Sequence, residues 1–142
     1  MSENITVLDF AEIKIGMEKK FTIEITESML ENFANLSGDY NPLHMDKDYA
    51  KTTSFKKRVC HGMLLSSFFS RLVGMYLPGK NALYLSQSLK FPKACFINEK
   101  VTITGKIVSK SESTQIITLK TTIVNESGKC LVDGDAKVLL RG

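Results

Sequence analysis

The stretch from Gly62 to Leu77, GMLLSSFFSRLVGMYL, constrains this chain more than any other. Leu64, Leu65, Phe68, Phe69, Leu72, Val73 and Leu77 recur at helical spacing and cover more than one face. The spacing predicts a helix that is apolar nearly all round, so the remaining chain has to wrap around it. At ~1.5 Å per residue it is ~24 Å long, about the diameter of a small domain. It is too short for a bilayer, which needs ~20 apolar residues, and Ser66, Ser67, Ser70 and Arg71 interrupt it. Pro78-Gly79 is a stop signal. Gly62, Ser66, Ser70 and Gly74 recur every four residues and line one side with small side chains. Such a stripe either admits a ligand or makes room for a crossing sheet.

The flanking sequence supplies elements that can do the wrapping. Lys19–Ile25 alternates and reads as a strand. Thr26 is placed to cap a helix running to about Leu36, with Met29, Leu30, Phe33 and Leu36 as its apolar stripe. Ser37 to Asp46, SGDYNPLHMD, is rich in turn formers and reads as a loop, with Asp46 capping a brief helix after it. Beyond Pro78 the pattern changes to strands over 81–91, 101–108, 116–124 and 130–140. The segments 111–114 and 125–128 suit hairpin turns. One strand, helical elements, then four strands is an α+β order: an antiparallel sheet with helices on one face.

A chain of 142 residues with 43% hydrophobic content is expected to form one domain, 1–142, with an ample core. Its net charge of +4 suits a phosphate-bearing ligand or an acidic partner and is too small to argue for nucleic acid. Cys60, Cys95 and Cys130 include no CxxC pair, which gives neither a zinc cluster nor a disulfide framework. Reduced, packed thiols in a cytoplasmic protein are expected. The first residues, MSENITVLDFAEIKIG, lack a basic segment followed by an apolar run, so no secretory leader is expected.

The chain has two histidines, and both lie beside turn or helix-start signals. Asp39 and His44 share one tight loop with Pro42 between them, and Pro42 pushes Asn41 away from helix. A carboxylate and an imidazole at hydrogen-bonding distance make a general acid/base pair; the same residues also make ordinary turns. His61-Gly62 opens the long helix. The Gly62 N–H could donate to a developing oxyanion there, while His61 could simply buttress the turn. The basic run Lys56-Lys57-Arg58 is either a solvated surface or a phosphate contact.

The run from Phe33 through SGDYNPLHMD to Ala50, followed by HGMLLSSFFS, resembles the MaoC-like (R)-specific enoyl-CoA hydratases over roughly residues 10–140. The resemblance implies a hot-dog fold, a long central helix wrapped by a curved antiparallel sheet, and a dimer. It implies Asp39 and His44 as the catalytic dyad, Gly62 as oxyanion donor, and Asn41, Ser70 and His61 as site support. Lys56, Lys57 and Arg58 would meet coenzyme A phosphates. Coenzyme A would belong to the substrate, with no separate cofactor and no metal. Cys60 departs from the Val or Ala more usual before His-Gly. The implied activity is hydration of trans-2-enoyl-CoA by a cytoplasmic homodimer with no nucleic-acid or membrane partner. The alternatives are a dehydratase acting on acyl carrier protein, a hot-dog thioesterase, and a non-catalytic acyl-CoA-binding module.

Overall fold

The apolar helix lies against one antiparallel sheet. The structure, a computed structural model, describes residues 4–142; the leader-free reading of the N-terminus reaches into residues 1–3, outside that range. The strands are β1 (Glu18–Glu24), β2 (Ala82–Gln87), β3 (Lys100–Ser111), β4 (Ile116–Asn125) and β5 (Cys130–Leu140), arranged β1-β3-β4-β5-β2. Every neighbouring pair is antiparallel. Helices α1 (Glu27–Ser37), α2 (Pro42–Met45), α3 (Lys47–Lys51) and α4 (Gly62–Arg71) all fall between β1 and β2. No helix among the described residues is long and apolar enough to cross a membrane.

Local chemistry explains most boundaries. The Thr26 hydroxyl accepts the Met29 N–H at 3.2 Å and starts α1. Gly38, at φ +82°, ends it in a left-handed turn that a side chain would disfavour. The Asp46 carboxylate accepts the Tyr49 N–H at 3.0 Å and caps α3. Between them, 37–46 is not wholly loop. Pro42 sits at the first position of α2, where its missing N–H costs nothing.

Helix α4 continues from Arg71 into a π-helical turn, Leu72–Tyr76. Leu64, Leu65, Phe69, Leu72, Val73 and Leu77 are buried. Met63, Ser67 and Ser70 are exposed, so the helix is not apolar all round. The sheet comes very close elsewhere. A Cβ on Gly105 of β3 would stand 2.7 Å from Leu72 Cδ2, so glycine sets the approach of the π turn to the sheet centre.

Strand β4 alternates as its sequence demands, with Ile117, Leu119, Thr121 and Ile123 fully buried. Strand β2 does not turn its two leucines, Leu83 and Leu85, into the core. Both are about half exposed, and Tyr84 turns inward instead. The register is the cause: Tyr84 pairs with buried Val138 of β5, and a bulge follows before Ser86. Leu36, expected in the α1 stripe, is 87% exposed; Leu30 and Ala34 form the buried face.

Candidate active site

The α1–α2 connection is built from side chain to backbone contacts. The Ser37 hydroxyl donates to Phe33 O at 2.7 Å and accepts the Asp39 N–H at 3.1 Å. Asp39 Oδ1 accepts the Asn41 N–H at 3.1 Å, and Asn41 Oδ1 accepts the Leu43 N–H at 3.0 Å. These successive short-range bonds fix the turn and start α2. Asn41 therefore orients the loop between Asp39 and His44.

A second segment, 58–60, clamps that loop from outside. His44 Nδ1 lies 2.7 Å from Val59 O, a carbonyl that can only accept, so Nδ1–H donates and Nε2 is the nitrogen outside this bond. The Val59 N–H returns a bond to Leu43 O at 3.2 Å. Arg58 Nε donates to His44 O at 2.6 Å, and its guanidinium pairs with Glu27 Oε1 at 2.8 Å. Arg58 thus ties α1 to the His44 turn.

His61 lies beneath. Its Nε2–H donates to Asp39 O at 3.1 Å, while its ring stacks on His44 with centroids 4.2 Å apart and meets Phe33 at 4.9 Å. It is 2% exposed, and among the described residues Nδ1 has no hydrogen-bond partner. Burial holds its pKa below the ordinary value, with the nearby His44 adding to the effect and the Asp39 carbonyl opposing it. A neutral His61 buttresses the turn by packing and one donated bond.

Asp39, His44, His61 and Gly62 all line one cavity of about 490 Å³, whose other walls include Met63, Phe91 and Lys93. The Gly62 N–H belongs to the first turn of α4, where no helical residue four positions back can accept it. Phe91 covers this glycine closely: a Cβ there would stand 2.8 Å from Phe91 Cε1. Asp39, His44 and His61 each offer one donor atom, all within 4.8 Å of one another. The two imidazole planes are inclined at 27° in that stack.

The other residues singled out by sequence lie elsewhere. Ser70 lines a separate groove beside α4 with Phe33, Met63 and Tyr84; Met63 borders both spaces. Lys56 is exposed with φ +66°. Lys57 stands 4.6 Å over the Phe96 ring and, with Arg58 and Lys47, lines a second cavity of about 310 Å³. The lysine on the main cavity is Lys93, in a segment whose sequence carries no motif. Phe91 and the Val59 carbonyl were equally silent in the sequence.

Comparison with known proteins places this geometry. Residues 10–128 match the model of the MaoC like domain. The chain is 39% identical over 128 residues to an (R)-specific enoyl-CoA hydratase of Aeromonas caviae, covering 90% of this chain and 96% of that one. A mitochondrial 3-hydroxyacyl-[acyl-carrier-protein] dehydratase of Arabidopsis thaliana is 32% identical, covering 90% and 78%. A solved (R)-hydratase from A. caviae superposes with a TM-score of 0.88 at 39% identity, over 90% of this chain and 97% of that one. The sheet packed on a central helix is the hot-dog fold, and the chain belongs to the family of MaoC-like domains.

Proposed function

We propose that residues 1–142 form a hydro-lyase that adds water to trans-2-enoyl-CoA, giving the (R)-3-hydroxyacyl thioester, and runs reversibly. The observation that carries this is the convergence of Asp39, His44 and the first turn of α4 on one cavity. Water sits between the Asp39 carboxylate and His44 Nε2. Together they take one proton from it as its oxygen bonds to C3. The electron pair of the double bond moves toward the thioester carbonyl, whose oxygen is met by the Gly62 N–H. The same pair of residues then returns a proton to C2, so one water is consumed and the thioester stays intact.

Coenzyme A enters as part of the substrate, and no further cofactor or metal takes part in this scheme. Its phosphates are met at the mouth by exposed Lys93 and, further out, by Lys56 and Lys57. Arg58 serves the His44 turn first. Ser70 reaches the acyl chain from the neighbouring groove. The enzyme works as a cytoplasmic homodimer: the free edge of β2 and the exposed side of α4 favour a second copy.

A carrier-protein dehydratase is the second reading, favoured by the plant relative and by a basic rim that would also suit an acidic carrier. The test is loss of enoyl absorbance with crotonyl-CoA, set beside crotonyl-acyl carrier protein at equal concentration. Higher kcat/KM on the coenzyme A thioester supports the first reading. A strong preference for the carrier supports the second, and release of free thiol would mean a thioesterase.

A further inference from the structure

We propose that Cys60 and Cys95 form a peroxide-oxidisable dithiol inside the substrate cavity, and that closing it into a disulfide disables the site. Val59 and Phe96 are bridged antiparallel, and the Cys60 N–H donates to Cys95 O at 2.8 Å. The two cysteines therefore stand directly opposite one another, with side chains on the same side. Opposed residues in antiparallel pairs have Cα atoms ~4.5–5.5 Å apart, within the ~4.4–6.8 Å that a disulfide spans. Both residues are buried and free, yet both line the cavity that holds Asp39 and His44. A molecule as small as hydrogen peroxide reaches them through it.

The Cys95 thiol is pushed well up from its ordinary pKa, first by the Cys60 thiol beside it and then by burial. In the proposed order Cys60 reacts first and Cys95 resolves it. The Cys60 thiol gives up its proton as its sulfur bonds to one peroxide oxygen, and the O–O bond breaks, giving a Cys60 sulfenic acid and a hydroxide that takes up that proton as the first water. The Cys95 sulfur then attacks the Cys60 sulfur. The S–S bond forms, and hydroxide leaves and takes up the Cys95 proton. Two thiols are oxidised by two electrons, and one peroxide becomes two waters.

The consequence follows from what Cys60 adjoins. Val59 holds His44 Nδ1, and His61-Gly62 opens α4. Drawing Cys60 toward Cys95 shifts both. Displacements near 1 Å can cost ~10²-fold in rate. The thiol pairing stands by itself; only its effect on turnover rests on the proposed hydratase activity.

The experiment treats the reduced full-length protein with a small molar excess of hydrogen peroxide, followed by non-reducing peptide mapping and crotonyl-CoA turnover. A linked Cys60–Cys95 peptide is expected, with loss of two hydrogens from the protein mass. Turnover should fall ~10-fold or more and return with dithiothreitol. Saturating butyryl-CoA, which fills the cavity but has no double bond to hydrate, should slow the linkage. Cys60→Ala should form no linked peptide and should resist peroxide. If that variant does not fold, the wild-type peptide map decides. Oxidation that stops at sulfenic or sulfinic acid without a linked peptide overturns the proposal, as does a linked protein with unchanged turnover. Absence of turnover in the reduced protein would count against the hydratase reading, and the linked peptide would then decide the thiol pair.

Discussion

The Nδ1 nitrogen of His44 lies 2.7 Å from the carbonyl oxygen of Val59, and that contact fixes which side of the imidazole is available for chemistry. A backbone carbonyl only accepts, so Nδ1 carries the proton, and Nε2 is the nitrogen left for the base role proposed above. The tautomer is set by a segment 15 residues further along the chain, and Arg58 holds that segment and the His44 turn together.

Arg58 is therefore expected to act through His44. Its side chain is 11% exposed, while its partner Glu27 is 61% exposed. Glu27→Gln should cost under ~1 kcal/mol, as exposed pairs do. Arg58→Met leaves the His44 carbonyl without its donor and should cost ~1–3 kcal/mol. It should also lower kcat. Denaturant melts and steady-state kinetics on both variants check this. A raised KM with unchanged stability would assign Arg58 to substrate phosphates instead.

Lys93 carries the opposite expectation. It is exposed at the cavity mouth, so Lys93→Gln should raise KM for enoyl-CoA and leave kcat nearly unchanged, the mark of lost uniform binding. The difference should shrink at high salt. Equal KM values at low salt would remove Lys93 from binding.

Gly62→Ala separates two roles of one glycine. The new Cβ would meet Phe91 Cε1 at 2.8 Å, but that ring is 47% exposed and can swing outward. Stability should change little, since alanine regains part of ~1 kcal/mol of helix propensity. Activity should fall ~10-fold or more if the N–H is the oxyanion donor. Adding Phe91→Ala decides the cause. Recovery of activity would blame the displaced ring, and continued loss would confirm crowding at the N–H.

His61 sets a pH dependence of stability. Its folded pKa is lowered from the ordinary value of 6.5, chiefly by burial. Below that value the unfolded chain binds a proton that the folded chain resists. His61 therefore contributes stability in full above the ordinary pKa, and loses it as pH falls toward the folded one. His61→Gln keeps a donor toward Asp39 O and removes the titration. Relative to wild type, its stability should decline less steeply from about pH 6.5 downward, by at most ~1.4 kcal/mol per pH unit. Parallel curves in urea melts across that range would contradict a neutral buried His61.

Much of this was legible in the sequence where the cause is local. Thr26 and Asp46 cap helices because a side-chain oxygen sits three residues before the N–H it accepts. The phase of β4 is legible because Ile117 to Ile123 leaves only one inward face. The phase of β2 was not: on an edge strand Leu83 and Leu85 tolerate exposure, and pairing with β5 chose Tyr84. The loop from Asp39 to His44 stood out because its turn formers are contiguous. The groups that complete the cavity come from afar. Val59 contributes a backbone atom, invisible to composition. Phe91 and Lys93 arrive through the bridge of Lys90 to Asp133, and Cys95 through that of Val59 to Phe96.

The most direct measurement is hydration of crotonyl-CoA by the wild-type protein, Asp39→Asn and His44→Gln, with chiral analysis of the product. Wild type should consume the enoyl absorbance and yield the (R)-3-hydroxy thioester. Each variant, folded like the parent, should lose ~10²–10⁴ in kcat, the scale of one positioned acid/base group. An (S) product, an untouched double bond, or near-parental turnover in either variant would contradict hydration by Asp39 and His44.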